Sequence, residues 1–312
     1  MRIVFLGTPQ FSVISLRELV KCGHEIAGVV TVPDKPVGRG LKLQYSAVKE
    51  FALQAGLEVL QPADLRDREF HEKLRILDAD LFVVVAFRIL PEEVFEMPPK
   101  GTVNLHSSLL PRYRGAAPIN WAIINGDTET GVSTIFIQRD VDAGDLILQQ
   151  RVQILPEETA GELHDRLAEC GAKLLLETVS LIESGSAPRR MQQGEATRAP
   201  KLTRELCNVN WQASSRAIQN LVRGLNPRPG AHTFYQSKQV KLFSVRPVDD
   251  SIATAAPGEI VSVNPKAGEL IVATGDATLA IDELQVAGKR RMQAQEFLLG
   301  HSVQTGERFG VE

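Results

Sequence analysis

Short apolar runs alternate with segments of helical periodicity over the first 150 residues of the chain. Buried strands are predicted where Val, Ile, Leu and Phe dominate, at residues 2–6, 26–31, 81–87, 102–105 and 132–137. Helices are predicted at residues 10–22, 46–55 and 66–77, and a longer helix at about 159–184. This alternation predicts an α/β fold built on a Rossmann-like, mostly parallel sheet.

The pattern changes near residue 185, where Gly, Pro and Gln replace the periodic apolar positions. Beyond it we predict one helix at 214–223 and short strands at 232–235, 240–245, 259–263, 269–273 and 278–284. Short strands at regular spacing are typical of a small β-barrel, here of the OB-like kind. We therefore expect an α/β domain at 1–188, a linker at 189–206 and a smaller β-barrel domain at 207–312.

Composition places the chain among ordinary globular proteins. Of its 312 residues, 43% are hydrophobic and 23% are charged, which excludes a mainly disordered chain. The apolar runs are shorter than the ~20 residues of a membrane span, and the N-terminus lacks a signal-peptide cleavage region. The cysteines, Cys22, Cys170 and Cys207, show no metal-ligand spacing. We expect a cytoplasmic protein without a metal or membrane contact, and the net charge of −3 argues against strong nonspecific binding to nucleic acid.

Asn104 and His106 are the first candidates for chemistry. They stand two residues apart at the end of a predicted strand, so their side chains project from one face of the sheet. The carboxyl ends of parallel strands border the ligand crevice in α/β folds. An amide donor beside an imidazole at that place can stabilise an oxyanion and move a proton, although an isolated histidine more often has only a structural role.

A loop rich in acidic residues follows the predicted strand at 132–137. It has the sequence DVDAGD over residues 140–145, too short for an EF-hand calcium loop and without the closing glutamate. A carboxylate returning from this loop to the sheet edge of His106 can orient the imidazole by charge pairing. The turn after the first strand holds only Gly7 of the three glycines in a dinucleotide-binding fingerprint, so a nicotinamide site is not expected.

Taken together, these segments resemble the signature of the folate-dependent formyltransferases. The matching run is NLHSSLLPRYRGAAP at residues 104–118, joined to DAG at 142–144. Three further segments, GTP at 7–9, PDKPVGRG at 33–40 and NPRPGA at 226–231, resemble the members of the family that formylate an aminoacyl-tRNA. The resemblance extends over essentially the whole chain, and chance occurrence of so long a gapped pattern is negligible.

The resemblance implies specific residue roles. Asn104, His106 and Asp142 match the catalytic residues of the family, and 10-formyltetrahydrofolate is the expected co-substrate. The implied folate-binding residues are Ser108, Leu109, Leu110 and Pro111, with Ala86, Phe87 and Leu90 at the pteridine pocket. One departure occurs at residues 85–91, where VAFRILP is one residue shorter than the family pattern and Arg88 stands in a region that is usually glycine.

The implied reaction formylates the amino group of methionine esterified to initiator tRNA. Protonated His106 and the Asn104 amide are expected to stabilise the tetrahedral oxyanion, while Asp142 fixes the histidine tautomer and assists proton removal from the amine. The expected tRNA contacts are Lys35, Arg39 and Lys42 in a basic loop, and Lys289, Arg290 and Arg291 in the trailing domain. Initiator methionyl-tRNA and the folate are thus the expected partners of a monomeric enzyme.

Other functions stay open at this point. A sugar-nucleotide or glycinamide-ribonucleotide formyltransferase has the same three catalytic residues, but it lacks the basic loop at 34–42 combined with a barrel-like C-terminal part. A noncatalytic RNA-binding protein of this fold is expected to have lost one of the three residues, and all three are present. A hydrolase that releases formate from the same folate needs no amine acceptor. Arg112 and Arg114 flank the signature turn and suit either folate carboxylates or RNA.

Overall fold

The computed structural model describes residues 1–37, 42–248 and 255–310, with Val37 and Lys42 described by their backbone only. The chain divides into two compact units, each made of several chain segments. Unit 1 comprises Met1–Pro118, Glu129–Gln153 and His164–Ala199. Unit 2 comprises Ile119–Thr128, Ile154–Leu163 and Pro200–Glu312.

The first part of the chain alternates strands and helices as expected. Its elements are β1 Arg2–Gly7, α1 Gln10–Lys21, β2 Glu25–Val30, β3 Lys35–Val37, β4 Lys42–Gln44, α2 Ala47–Gln54, β5 Val59–Leu60, α3 Arg68–Ile76, β6 Leu81–Val85, α4 Glu92–Phe95, β7 Thr102–His106, β8 Arg114–Gly115, α5 Pro118–Ile124, β9 Glu129–Phe136, β10 Leu146–Gln153, α6 Ala160–Glu183 and β11 Arg198–Ala199. Seven strands form one sheet in the order β10-β9-β7-β6-β1-β2-β5. β5, β2, β1, β6 and β7 are parallel, whereas β9 and β10 are antiparallel. The predicted mostly parallel α/β sheet is confirmed.

The middle of this sheet is buried because its strands are almost entirely apolar. All five residues of β6 are buried, as are five of the six residues of β1. On one face they pack with residues of α3 and of the segment around α4, among them Phe70, Leu74 and Val94. The Ser12 hydroxyl on α1 donates to the Val85 carbonyl at 2.6 Å, which ties that helix to the end of β6. The carboxyl ends of β6 and β7 are therefore fixed by a packed sheet.

Unit 2 is built mainly on antiparallel strands. Its further elements are α7 Ser215–Gly224, β12 Ala231–Tyr235, β13 Lys238–Val248, β14 Ile260–Asn264, β15 Glu269–Ala273, β16 Thr278–Val286, β17 Met292–Gln293 and α8 Ala294–Gly300. The sheet order is β12-β13-β16-β15-β14, and β17 pairs with β16. An apolar core of this unit contains Trp211, Tyr235 and Phe297. The expected smaller β domain in the later part of the chain is confirmed, and its sheet is antiparallel.

No helix within residues 1–37, 42–248 and 255–310 has the length and apolar character needed to cross a membrane. In the same part of the chain, no group of three or more His, Cys, Asp or Glu side chains is arranged to hold a metal ion.

Candidate functional site

Strand β7 brings Asn104 and His106 to one face near its carboxyl end. β7 pairs with β6 in parallel and with β9 in antiparallel register, where His106 lies opposite Ser133. Because side chains alternate along a strand, residues two apart share a face. His106 is only 6% exposed, while Asn104 is half-buried. The strand thus holds an amide and an imidazole side by side.

Asp142 reaches the same place from the loop between β9 and β10. Its Oδ1 accepts a hydrogen bond from Asn104 Nδ2 at 3.3 Å and lies 3.6 Å from His106 Nδ1. The side chains of His106 and Asp142 are 7% and 12% exposed, so the pair is largely shielded from water. The structure therefore brings together the three side chains that the sequence proposes as catalytic.

The second ring nitrogen of His106 faces a backbone carbonyl. Nε2 lies 2.9 Å from the Tyr113 oxygen, and because a carbonyl only accepts, this nitrogen carries a hydrogen. The Tyr113 carbonyl therefore sets the tautomer of His106. The sequence had led us to expect this role of Asp142. Nδ1, the other ring nitrogen, faces Asp142.

The backbone around Asp142 is tightly constrained. Asp142 has a φ of 54°, in the left-handed region, and its Oδ2 accepts from the Gly115 N–H at 2.9 Å. Two residues on, a Cβ at Gly144 would lie 1.7 Å from the Phe136 carbonyl oxygen. Only glycine allows this close approach, so the DAG sequence is needed to form the loop that presents Asp142.

The segment that the sequence predicts as a linker contributes to the frame of this site. β11 pairs with β8 in parallel, and Thr197 Oγ1 accepts from the Tyr113 N–H at 2.8 Å. A Cβ at Gly115 would lie 2.7 Å from the Ala199 oxygen, and the φ of Gly115 is 123°. Residues 197–199 thereby hold the backbone whose carbonyl and N–H groups contact His106 and Asp142.

The four predicted folate-binding residues after β7 are mostly inside the protein. Ser108, Leu110 and Pro111 are buried and Leu109 is half-buried. The Ser133 hydroxyl donates to the Ser108 carbonyl at 2.6 Å, and Gln149 Nε2 donates to the Leu110 carbonyl at 3.0 Å. These bonds fix the turn that carries Tyr113 back over His106. A direct contact of the four residues with folate stays a prediction.

The end of β6 presents a different surface. Ala86 is exposed with a φ of 46°, Phe87 is half-buried and Leu90 is buried. The Arg88 guanidinium donates to the carbonyls of Pro62 and Ala63 at 2.8 and 3.1 Å and lies over the Phe87 ring, 5.2 Å from its centre. Its buried Nε has no hydrogen-bond partner among the described residues. Ala86 is exposed at this strand end even though the long side chain of Arg88 packs on its neighbour Phe87.

The basic loop is anchored by a polar network at its base. β3 and β4 form a hairpin in which Lys35 is exposed and Lys42 is described by backbone alone, while Arg39 lies outside the described residues. Lys49 Nζ contacts Asp34 Oδ2 at 2.5 Å, and Gln61 Nε2 donates to Asp34 Oδ1 at 2.8 Å. Hydrogen bonds from Lys49 and then Gln61 hold the pKa of Asp34 below its usual value.

The basic run on unit 2 is largely committed to ion pairs. Arg290 contacts Glu296 at 2.8 Å, and Arg291 pairs with Glu283 and lies over the Phe243 ring at 4.3 Å. An arginine already engaged with a carboxylate attracts phosphate less than an unpaired one. A contact of Lys289, Arg290 and Arg291 with nucleic acid stays a prediction.

Several residues that shape the site were not identified from the sequence. Tyr113 and Gly115 lie within the recognised signature but contribute through backbone atoms, whereas Gln192 and Thr197 lie in the apparently irregular segment. The glycine at 115, between Arg114 and Ala116, was an available signal of a close backbone approach.

Comparison with known proteins identifies the family. The family described as "Formyl transferase" matches residues 1–179, and the family described as "Formyl transferase, C-terminal domain" matches residues 201–302. The chain is 48% identical over 312 residues to the methionyl-tRNA formyltransferase of Moorella thermoacetica, covering 99% of both chains. It is 46% identical to the protein of that name from Acetivibrio thermocellus, over 99% of this chain and 100% of that one.

A solved structure shares the fold at low sequence identity. WlaRD, a sugar 3N-formyl transferase in the presence of dTDP and 5-N-formyl-THF, superposes with a TM-score of 0.67 and 19% identity. The match covers 93% of this chain and 99% of that chain.

Proposed function

The chain belongs to the formyl transferase family, and from this premise we propose that it formylates initiator methionyl-tRNA. The formyl group of 10-formyltetrahydrofolate is transferred to the α-amino group of the esterified methionine, giving N-formylmethionyl-tRNA for translation initiation. The observation that carries this function is the 48% identity to a methionyl-tRNA formyltransferase across both domains. The enzyme is a one-carbon transferase.

Asn104, His106 and Asp142 are the proposed catalytic residues. Asn104 has a second amide hydrogen beyond the one bonded to Asp142, and protonated His106 offers Nδ1–H beside it. These two donors stabilise negative charge that develops on the formyl oxygen. The Asp142 carboxylate, 3.6 Å from the ring, accepts the proton that the attacking amine loses. The bond between the formyl carbon and N10 of the folate then breaks, and N10 takes up one proton so that tetrahydrofolate leaves.

The end of β6 suits the folate co-substrate, which supplies the formyl group when bound. Ala86 is exposed and has only a methyl group beside its backbone N–H and C=O, and Phe87 and Ile89 offer apolar surface next to it. A planar heteroaromatic ring is commonly held by such a combination of backbone hydrogen bonds and apolar contacts. We propose that Ala86, Phe87 and Leu90 form the pteridine pocket, next to the donors on β7, with Ser108, Leu109, Leu110 and Pro111 extending it.

The acceptor is tested by direct competition between amines. With labelled 10-formyltetrahydrofolate, we expect charged initiator tRNA to be formylated at least about 100-fold faster than charged elongator tRNA. The reason is that correct positioning of the acceptor amine against the formyl group contributes much of the rate of such a reaction. A sugar nucleotide carrying an amine and glycinamide ribonucleotide serve as alternative acceptors. Faster formylation of either, or formate release without any amine, contradicts the proposal.

We further propose that Lys35, Arg39 and Lys42 contact the tRNA from the β3–β4 segment. Support comes from the network of Asp34 and Lys49, because anchored strands present a basic loop at lower entropic cost than a free one. Lys289, Arg290 and Arg291 are proposed as weaker contacts to the tRNA backbone, since two of the three already pair with glutamates.

Replacing Lys35 by alanine tests the first contact. Loss of one phosphate contact is expected to weaken tRNA binding and to lower the slope of log K against log salt by about one unit. Lys21→Ala on α1 removes the same charge from an exposed site that pairs with Glu18, and it is the matched control. Equal salt slopes for Lys35→Ala and the unchanged protein contradict the proposed contact.

The remaining expectations complete the proposal. We propose a monomer that acts in the cytoplasm, where charged initiator tRNA is used. The proposed division is a catalytic domain at 1–188, a connecting segment at 189–206 and a tRNA-binding domain at 207–312. The family matches at 1–179 and 201–302 support two domains joined by a short segment.

A further inference from the structure

Gln192 makes an unusually complete set of contacts beside the catalytic loop. Its Nε2 donates to the Asp142 carbonyl at 2.8 Å and to the Gly144 carbonyl at 2.9 Å. Its Oε1 accepts from Arg114 Nε at 3.1 Å and from Arg114 Nη2 at 2.6 Å. Both amide hydrogens and both lone-pair directions are used, so a half-buried side chain is satisfied entirely by protein groups.

These contacts fix the orientation of the Gln192 amide. The nitrogen faces two carbonyls that only accept, and the oxygen faces a guanidinium that only donates. A flipped amide would place its oxygen against the two carbonyls and its nitrogen against the guanidinium, so a single orientation is allowed. Among side chains of this size, only glutamine offers both functions.

The contacts of Gln192 join with those of Asp142 in a closed ring. Gly115 N–H binds the Asp142 carboxylate, the Asp142 carbonyl binds Gln192, and Gln192 binds Arg114, the chain neighbour of Gly115. Gln192 holds the backbone of residue 142, whereas Gly115 holds its carboxylate. The backbone and the carboxylate of Asp142 are thus both held, one by the Gln192 side chain that Arg114 binds and the other by the N–H of the adjacent Gly115.

Asp142 needs such support because its backbone is in the left-handed region. A non-glycine residue there persists when its surroundings hold it. The backbone that leads into Gln192 is also held in place, because Arg190 and Leu146 exchange backbone hydrogen bonds at 3.1 and 2.8 Å. After it, β11 is paired with β8.

We propose that Gln192 is a positioning residue for the reaction, acting through Asp142 and never touching the substrate. This inference rests on the proposed function, in which Asp142 accepts the proton of the amine. The two Nε2 hydrogen bonds keep the carboxylate within reach of Asn104 and His106. Without them, the loop relaxes and the carboxylate moves from the place where the amine reacts. The same ring gives Arg114 a structural partner within the protein.

Gln192→Ala is expected to lower kcat about 10- to 100-fold with little change in either KM, because a displacement of about 1 Å costs rate rather than binding. Gln192→Glu keeps the size and the Arg114 contact but cannot donate to the two carbonyls, so it is expected to be as slow as the alanine variant. Gln193→Ala removes the neighbouring exposed amide and is the matched control, expected to react at the normal rate.

A double variant separates positioning from a general loss of structure. In an Asp142→Asn background the carboxylate is already absent, so adding Gln192→Ala is expected to lower kcat by less than about threefold further. The proposal is overturned if the double variant loses kcat by the product of the two single losses. It is also overturned by a normal kcat in Gln192→Ala or by recovery of kcat in Gln192→Glu.

Amide hydrogen exchange provides a readout that does not depend on the reaction. Gln192→Ala and Gln192→Glu are expected to speed exchange in residues 137–145 by about tenfold, while Gln193→Ala leaves it unchanged. Unchanged exchange in the two Gln192 variants overturns the inference even if the protein formylates no tRNA. Failure of the unchanged enzyme to formylate initiator tRNA, with faster exchange in these variants, rejects the proposed function and leaves the loop contact supported.

Discussion

Replacing His106 by alanine is expected to lower kcat for formylation of initiator methionyl-tRNA by about 100-fold or more. The ring supplies an N–H donor to the formyl oxygen, and removal of one such donor costs about 100- to 1,000-fold in enzymes that stabilise an oxyanion. The KM for both substrates should change little, since the donor acts chiefly in the transition state. Steady-state rates at saturating folate and tRNA measure the effect.

His164→Ala is the matched control for this variant. His164 also faces a carboxylate, that of Asp165 at 2.9 Å, but the pair lies on α6, where the His164 side chain is half-buried and that of Asp165 is exposed. Its loss should leave kcat unchanged. His106→Gln tests the same role with less structural damage, because the amide can still donate to the Tyr113 carbonyl but cannot take up a proton. Near-normal kcat in both His106 variants contradicts the assignment of this residue.

Replacing Gly144 by alanine is expected to abolish most of the activity, although residue 144 has no proposed part in the chemistry. The added Cβ would lie 1.7 Å from the Phe136 carbonyl oxygen, a backbone atom at the end of β9. The loop must therefore move, and a shift of about 1 Å in Asp142 costs about 100-fold in rate. The fall in kcat should be accompanied by a lower Tm, which calorimetry measures.

Gly300→Ala is the control for the glycine substitution. A Cβ at Gly300 meets no heavy atom within 4 Å, and its φ is outside the left-handed region, so activity and Tm should be unchanged. Kinetics that match the unchanged enzyme in Gly144→Ala would show that the loop can adopt another path without losing the reactive position of Asp142.

The elements that form the sheet were largely predictable because burial dictates their composition. β6 is buried on both faces and contains only Leu, Phe and Val, so its pattern is unambiguous. β10 was missed because it lies at the edge of the sheet and carries exposed Gln149, Gln150 and Arg151. The period-two rule of strands likewise predicts that Asn104 and His106 share one face of the sheet.

The site was predictable only where a side chain itself carries the chemistry. The amide, imidazole and carboxylate of the three proposed catalytic residues leave a recognisable pattern. Tyr113 and Gly115 act through backbone atoms that every residue type has, and Gln192 gains its role from carbonyls about 50 positions earlier in the chain. Such pairings depend on how distant segments pack, which local composition does not specify.

Pairing of β11 with β8 has a consequence for where the catalytic half of the chain can be shortened. A protein cut after residue 188 would still contain the amide, imidazole and carboxylate proposed for catalysis, yet it would lose Gln192, Thr197 and the partner strand of Arg114–Gly115. The minimal self-sufficient catalytic fragment therefore extends at least to Ala199, beyond the point where helical periodicity ends.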